Sequence, residues 1–219
     1  LDLGRTLRPG EVDLVTGGPP CQPFSTAGKR GSVMDPRGSL FMDFIRVVRE
    51  VQPRFFVMEN VRGLLSAAIR HRPINQRGAD YPTLEPDEMS GAALKVVLAE
   101  MKGIGYNVVY NLLETADYGV PQNRVRIVFI GSRDDEFVTF PFATHCEDGK
   151  NLPKWRTLRD ALTGLVDPAP EFTAYSENRL KFLRLLEEGQ NWRYLPEDFK
   201  KEAMGGAYKS GGGKVGFYR

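Results

Sequence analysis

The chain contains little of what a disulfide-stapled protein, a metalloprotein or a membrane protein needs. Its 219 residues include only two cysteines and two histidines. Cys21 and Cys146 lie far apart and form no paired spacing, which argues against a disulfide framework or a metal site and for a reducing compartment. No apolar run approaches the ~18–20 residues of a membrane span, and the first residues show no signal-peptide pattern. These absences predict a cytoplasmic protein without bound metal or membrane anchor.

Strong charge of either sign is also missing. The formal net charge is +2, so electrostatics alone do not predict a nucleic-acid partner. Basic residues are locally dense between Arg62 and Arg77. Such a cluster either follows phosphates or forms a solvated basic surface. The length corresponds to one domain, or one domain and part of another.

The most informative segment is residues 17–25, Gly-Gly-Pro-Pro-Cys-Gln-Pro-Phe-Ser, which follows an apolar run at 12–15. The apolar run predicts a buried strand, and the glycines and prolines end it abruptly. The prolines fix φ angles around the Cys21 thiol, and Gly17 and Gly18 allow the backbone to approach a ligand closely. A structural cysteine would pack inside the apolar run, whereas a nucleophilic thiolate needs a fixed, partly exposed position. The loop therefore favours a nucleophile.

Two further segments place polar residues at the ends of predicted strands. A strand at 55–58 is followed by residues 59–61, Glu-Asn-Val. A strand at 125–130 is entered through residues 122–126, Gln-Asn-Arg-Val-Arg. Open α/β sheets bind their ligands at the carboxyl ends of their strands. We therefore expect the cysteine loop and Glu59 to share one rim of a sheet.

In these residues the chain resembles the DNA cytosine-5 methyltransferases. The Pro-Pro-Cys-Gln-Pro-Phe-Ser segment is similar to their catalytic-cysteine motif, residues 59–61 to their Glu-Asn-Val motif, and residues 122–126 to their Gln-x-Arg-x-Arg motif. Three matches in the family's order are far more specific than one. The resemblance is strongest over residues 12–131. It implies the Rossmann-like fold of methyltransferases that use S-adenosylmethionine. It also implies methyl transfer to carbon 5 of cytosine in duplex DNA.

The resemblance also assigns catalytic roles. Cys21 would add to carbon 6 of a cytosine flipped out of the duplex, which makes carbon 5 able to attack the methyl donor. Glu59, best in its protonated form, would hold ring nitrogen 3 and the exocyclic amine. Arg126, with Arg124 as the second candidate, would donate to the carbonyl oxygen, where negative charge develops. The two arginines alternate along a strand and are expected on one face, and a structural ion pair is the alternative role for one of them.

The same resemblance also assigns, with less specific motifs, residues that would bind the flipped nucleotide and the methyl donor. The candidate substrate-binding residues are Gln22, Ser25, Asn60 and Gln122, and the candidate S-adenosylmethionine contacts are Pro20 and Leu40. The sequence shows no ligand set for a metal.

The apolar patterning predicts an α/β fold. Helical spacing at 39–51 and 90–102 predicts two amphipathic helices, the second capped by Ser90. Residues 71–89 are polar and predict a long surface loop. Strands are expected at 12–15, 55–58, 107–113 and 125–130. A loop without a helix joins the last two strands, which predicts an antiparallel edge on a mostly parallel sheet.

We assign residues 1–142 to a catalytic domain and residues 143–219 to part of a target-recognition region. Helices are expected at 155–162 and 176–188, and residues 189–219 are expected to be loop-like. The family's Phe-x-Gly-x-Gly cofactor loop and its carboxyl-terminal motifs are missing from the sequence. We therefore expect a fragment with weak S-adenosylmethionine binding and little turnover.

Three functions stay open at this point. The leading one is DNA cytosine-5 methylation, and the others are RNA cytosine-5 methylation and a DNA-binding remnant without catalysis. Ser25 is typical of the DNA-modifying branch of the resembled family. A cysteine hydrolase is disfavoured, because no histidine is placed to activate Cys21. The implied partners are double-stranded DNA and, without physical contact, a cognate restriction endonuclease. We expect a monomer in the bacterial cytoplasm, associated with the nucleoid.

Overall fold

The computed structural model divides the chain into two compact units, Leu1–Gly164 and Leu165–Arg219. This division falls after the predicted boundary at 142/143, and the assignment of the later residues to target recognition stays a prediction. The residues whose structure is described are 7–19, 39–166, 168–169, 171, 174–187 and 189–210.

The first unit contains a four-stranded sheet. Its strands are β1 (Leu14–Gly17), β2 (Phe55–Val61), β3 (Asn107–Glu114) and β4 (Val125–Ser132). They lie in the order β1-β2-β4-β3; β1 and β2 are parallel, and β4 is antiparallel to both β2 and β3. The α/β class and the antiparallel pairing of the last two strands are confirmed. The reversed strand, however, lies inside the described sheet rather than at its edge.

Strand β2 is longer than predicted. Its ladder with β4 continues to the pair Val61–Arg126, so Glu59 and Asn60 lie within the strand instead of following it. Alternate residues of β2 are buried, which is the period-2 pattern of a strand with one face on the core. Glu59 and Asn60 therefore lie on opposite faces of the sheet.

Two helices cover one face of the sheet. Helix α1 (Ser39–Val51) has the predicted bounds, and helix α2 (Ala92–Gly103) begins slightly later than predicted. Ser90 is not its cap: Gly91 occupies the N-cap position at φ 82°, and the Ser90 hydroxyl donates to the Ser66 carbonyl at 3.3 Å. A left-handed φ favours glycine, which is why the chain enters α2 through Gly91.

The core of the first unit lies between these helices and the sheet. Apolar residues at helical spacing on α1 and α2 meet the alternate buried residues of β2 and β4. Its buried members include Ile45, Val48, Val97, Met101, Phe56, Met58, Ile127 and Phe129. The opposite face of β2 and β4 is half exposed, and this face carries Glu59 and Arg126.

A long loop follows β2, as predicted. It contains only short 3-10 turns, at Arg62–Ser66, Ile74–Gln76 and Pro86–Glu88. Its arginines do not form a purely solvated surface. Arg72 pairs with the buried carboxylate of Glu88, and Arg70 binds Asp87 at 3.0 Å. These ion pairs hold parts of the loop together, while Arg62 and Arg77 stay exposed. A role of the basic cluster along phosphates stays a prediction.

After β4 the first unit contains one more helix, α3 (Leu158–Leu162), with Thr157 and Asp160 forming a capping box. The second unit contains α4 (Glu177–Leu183), which is shorter than predicted, and α5 (Glu197–Met204), which the sequence analysis missed. Both pack around a small core of Phe182, Leu186, Trp192, Leu195 and Met204. Within the described ranges, every helix is too short or too polar to cross a bilayer.

Candidate active site at the carboxyl ends of the parallel strands

Glu59 and Arg126 form an ion pair on the open face of the sheet. The register places Arg126 opposite Val61 and Glu59 opposite Val128, so the two residues are diagonal neighbours across β2 and β4. Arg126 Nε lies 2.6 Å from Glu59 Oε1. The buried Nε–H nevertheless has no hydrogen-bond acceptor in line, so the contact is an ion pair without hydrogen-bond geometry. The Glu59 side chain is 44% exposed, which leaves its carboxylate accessible to a ligand.

Asn60 connects β2 to the start of the cysteine loop. It is buried, its side-chain carbonyl accepts the Val61 N–H at 2.8 Å, and its amide nitrogen donates to the Pro19 carbonyl at 3.4 Å. A buried side-chain amide with a backbone partner on another strand end acts as a tether. Asn60 thus fixes the point where the chain leaves β1.

The glycines before the cysteine loop allow close contacts within the protein, and their predicted approach to a ligand stays a prediction. A Cβ on Gly17 would lie 2.7 Å from the Phe44 ring, and a Cβ on Gly18 would lie 3.2 Å from Glu59 Oε2. The close approach they allow is therefore to α1 and to the Glu59 carboxylate. Gly18 brings the entrance of the cysteine loop into contact with the Glu59–Arg126 pair.

The remaining predicted site residues are not all brought together. Gln122 and Arg124 lie before β4 with exposed side chains. In the described part of the chain, the Arg124 side chain has no ion pair, so only Arg126 of the two arginines meets Glu59. Arg124 precedes the first residue of β4, Val125, so the alternation along that strand includes Arg126 but not Arg124. Pro20, Cys21, Gln22 and Ser25 lie outside the described residues.

Leu40 is the described candidate for a cofactor contact. It lies in the first turn of α1. Because α1 returns from β1 to β2, its first turn lies at the carboxyl-end rim of these parallel strands. The Leu40 side chain is 43% exposed, so it offers apolar surface there. This position fits an apolar contact with a bound cofactor.

The sequence analysis did not predict the hydrogen bonds that Glu114 and Thr115 make across the turn between β3 and β4. The Glu114 carboxylate accepts the Arg124 N–H at 2.5 Å, and the Thr115 hydroxyl donates to the Gln122 carbonyl at 2.5 Å. Trp155 anchors a later segment on the same turn, through a 2.9 Å hydrogen bond to Asp117. An acidic residue at a predicted strand end, followed by threonine, was the available signal for this arrangement.

Known proteins are similar to this chain in sequence. The family model described as C-5 cytosine-specific DNA methylase matches residues 3–203. The Type II methyltransferase M.Sau96I of Staphylococcus aureus is 36% identical over 213 residues, which cover 95% of this chain and 43% of that protein. M.AquIA of Picosynechococcus is 37% identical over 181 residues, covering 75% of this chain and 64% of that protein.

A crystallised DNA modification methyltransferase from an E. coli prophage is similar to 71% of this chain, with 30% identity and a TM-score of 0.43, over 35% of its own length. The chain thus spans less than half of M.Sau96I and less than two thirds of M.AquIA. The family match, by contrast, extends over most of the chain and contains all three motifs. The chain therefore belongs to the C-5 cytosine-specific DNA methylase family.

Proposed function

We propose that this chain carries the catalytic groups of a DNA cytosine-5 methyltransferase, with Cys21 as the nucleophile. The observation that carries the proposal is the Glu59–Arg126 ion pair, which lies beside Gly18 at the entrance of the loop that leads to Cys21. The contact of Gly18 with Glu59, and of Glu59 with Arg126, supports a site to which all three motifs contribute. The proposal includes the substrate, cytosine in duplex DNA, and the methyltransferase activity of the whole protein.

The Glu59–Arg126 pair has the hydrogen-bonding groups that the edge of cytosine requires. A protonated Glu59 accepts from the exocyclic amine and donates to ring nitrogen 3, and Arg126 donates to the carbonyl oxygen. In the free protein the two side chains neutralise each other at 2.6 Å. A flipped cytosine would insert between them and exchange this ion pair for hydrogen bonds to both groups.

Cys21 would use this arrangement to activate the base. Its thiolate adds to carbon 6, an S–C bond forms, and the ring electrons move toward the carbonyl oxygen that Arg126 holds. S-adenosylmethionine, when bound, supplies the methyl group to carbon 5, and Pro20 and Leu40 are the residues proposed to contact it. Loss of the carbon 5 proton to a base then lets the Cys21 thiolate leave.

The proposed partner is double-stranded DNA. The family description names DNA, and this favours DNA over RNA as the substrate. The relatives are named Type II methyltransferases, which supports a role in modification beside a cognate restriction endonuclease. Gln22, Ser25, Asn60 and Gln122 would hold the nucleotide. The hydrogen bond from Asn60 to the Pro19 carbonyl supports a role for Asn60 in fixing the start of the cysteine loop.

A covalent trap tests the proposal. The protein, expressed at its natural length, is mixed with S-adenosylmethionine and duplex DNA whose target cytosines carry fluorine at carbon 5, and the products are run on a denaturing gel. Fluorine does not leave as a proton does, so the adduct persists. We expect an adduct with the wild type and none with Cys21→Ser. No adduct on DNA of varied sequence would refute the proposal, and an adduct on RNA alone would change the substrate.

The two arginines provide a matched comparison in the same assay. Arg126→Met should slow adduct formation by about 10²–10³-fold, the typical cost of removing one donor to developing negative charge. Arg124→Met removes the same group from a side chain that does not meet Glu59, and we expect a smaller effect. Equal losses in the two variants would contradict the assignment of Arg126 as the donor to the cytosine carbonyl oxygen.

A further inference from the structure

We propose that Glu114 is a positioning residue, which holds the backbone of the Gln122–Arg126 segment so that its side chains are presented to the substrate. The inference rests on the proposed function, which identifies that substrate as a cytosine in DNA. It concerns a residue outside the three motifs, at the last position of β3, opposite Val125 in the ladder. The segment that Glu114 contacts carries Gln122, proposed to bind the nucleotide, and Arg126, proposed to stabilise the transition state.

The ladder between β3 and β4 holds Val125 and Arg126 but not the residues before them. Its last pair is Glu114–Val125, and Arg124 lies beyond it. The Arg124 backbone is nevertheless fixed on both sides. Its N–H donates to Glu114 Oε1 at 2.5 Å, and its carbonyl accepts the Thr115 N–H at 3.2 Å. The Glu114 carboxylate thus supplies the acceptor that a further strand residue would have supplied.

The Gln122 backbone is also held on both sides, here by Thr115 and Val120. Its carbonyl accepts the Thr115 hydroxyl at 2.5 Å, and its N–H donates to the Val120 carbonyl at 2.8 Å. The backbone polar groups of Gln122 and Arg124 are therefore satisfied within the turn, while both side chains stay exposed. A fixed backbone that carries a free side chain is the arrangement a binding residue needs, because the ordering cost is met before the substrate arrives.

Glu114 also organises the start of the turn. The same Oε1 accepts the Ala116 N–H at 3.5 Å and caps the 3-10 turn Thr115–Tyr118. The bonds described for the carboxylate thus go to backbone N–H groups at both ends of the turn, and a charged acceptor makes such bonds stronger than a neutral one would. A salt bridge to a surface cation would not fix the backbone in this way.

A matched pair of variants separates the carboxylate's role from its bulk. Glu114→Gln keeps a side-chain oxygen acceptor, and Glu114→Met keeps the length without an acceptor. Exchange of the Arg124 amide hydrogen, measured residue by residue by NMR, reports the anchoring without any reference to activity. We expect Glu114→Met to speed this exchange by about tenfold or more, and Glu114→Gln by much less.

The fluorocytosine trap then measures the consequence for chemistry. We expect Glu114→Met to slow adduct formation at saturating DNA by about tenfold to a hundredfold, as small misplacements of reacting groups do, with Glu114→Gln restoring most of the rate. Asp80→Asn, which changes an exposed carboxylate on the surface loop, is the control for loss of charge. Should Glu114→Met not fold, Thr115→Val removes the hydroxyl bond to Gln122 and should act in the same direction.

Two results would overturn the inference. Unchanged exchange of the Arg124 amide in Glu114→Met would show that the carboxylate does not anchor the segment. Faster exchange with an unchanged adduct rate would show that the anchoring does not serve the reaction. Absence of an adduct in the wild type is a different failure: it refutes the proposed function, while the exchange measurement still decides whether Glu114 fixes this backbone.

Discussion

Alanine at position 131 should destabilise the sheet that carries the candidate site. Gly131 lies directly opposite Phe56 in the β2–β4 ladder. A Cβ at this position would lie 2.0 Å from Cε1 and 2.5 Å from Cζ of the Phe56 ring. The ring is fully buried, and the rings of Phe44 and Tyr106 lie against it at centroid distances of 5.9 and 5.2 Å. Phe56 therefore has no space into which it can move.

The cost follows from this overlap. Overpacking a core costs 1–3 kcal/mol, and the immobile ring places Gly131→Ala at the upper end, at about 3 kcal/mol of unfolding free energy. For a unit of this size that corresponds to a Tm lower by about 6–12 °C. Gly103→Ala is the matched control, because a Cβ at this last residue of α2 would meet open space. It should be neutral or stabilising by up to about 1 kcal/mol.

Urea unfolding followed by tryptophan fluorescence provides the assay. Trp155 lies in the first unit and Trp192 in the second, so a Trp192→Phe background reports on the first unit through Trp155. In a Phe56→Ala background the added methyl group enters vacated space, and we expect a favourable coupling of about 2 kcal/mol in the double-mutant cycle. A Gly131→Ala cost below about 0.5 kcal/mol, or additive effects in the cycle, would refute the reasoning.

Three further predictions concern other parts of the chain. The hydrogen bond from Arg72 lowers the pKa of Glu88, so this carboxylate stabilises the fold at neutral pH and loses its contribution as the pH falls through the lowered pKa. Arg72→Met should therefore make the acid-induced fall in urea midpoint shallower, and an unchanged slope would contradict this. Burial raises the pKa of Tyr106 to about 12, and its neutral phenol donates to the Pro53 carbonyl at 2.6 Å. The phenol therefore stabilises the fold fully below the pKa that tyrosine has in the unfolded chain, and this contribution is lost as the pH rises toward 12. Tyr106→Phe should remove the last tyrosine to ionise in an alkaline absorbance titration; a titration curve that keeps this step would assign it elsewhere. Leu186→Ala should cost the second unit about 2–5 kcal/mol, measured through Trp192, and an unchanged midpoint would show that Leu186 does not support that core.

Local patterns predicted the existence of all four strands and the bounds of α1. The predicted buried strand at 12–15 was wrong in its bounds and its burial, because β1 spans Leu14–Gly17 and none of its residues is buried. The bounds of α1 were correct, because its apolar residues repeat at helical spacing up to Pro53. The strands were recognised because each is a short run of β-branched and aromatic residues ended by glycine, proline or a polar residue. Helix α5 was missed, because its sequence is mostly charged and only Met204 of its residues is buried.

Caps and register were less predictable. Ser90 has the side chain of a cap, but its hydroxyl reaches the Ser66 carbonyl, and Gly91 takes the cap position. Arg124 and Arg126 were expected on one face, but the ladder begins at Val125 and leaves Arg124 in the turn. Both outcomes depend on where a distant segment lies, which sequence spacing does not encode.

The sequence by itself determined the family of this protein, because a cysteine on a proline-rich segment, a carboxylate and two arginines follow one another in the family's order. Only the tertiary structure decided which of these groups meet. Insertion of β4 between β2 and β3 brings Arg126 rather than Arg124 to Glu59. Gly18 lies beside that pair, and Asn60 holds Pro19, the last described residue before Cys21. The reason is physical, because residue types depend on local composition, whereas contacts across a sheet depend on strand order and register set by burial over the whole unit.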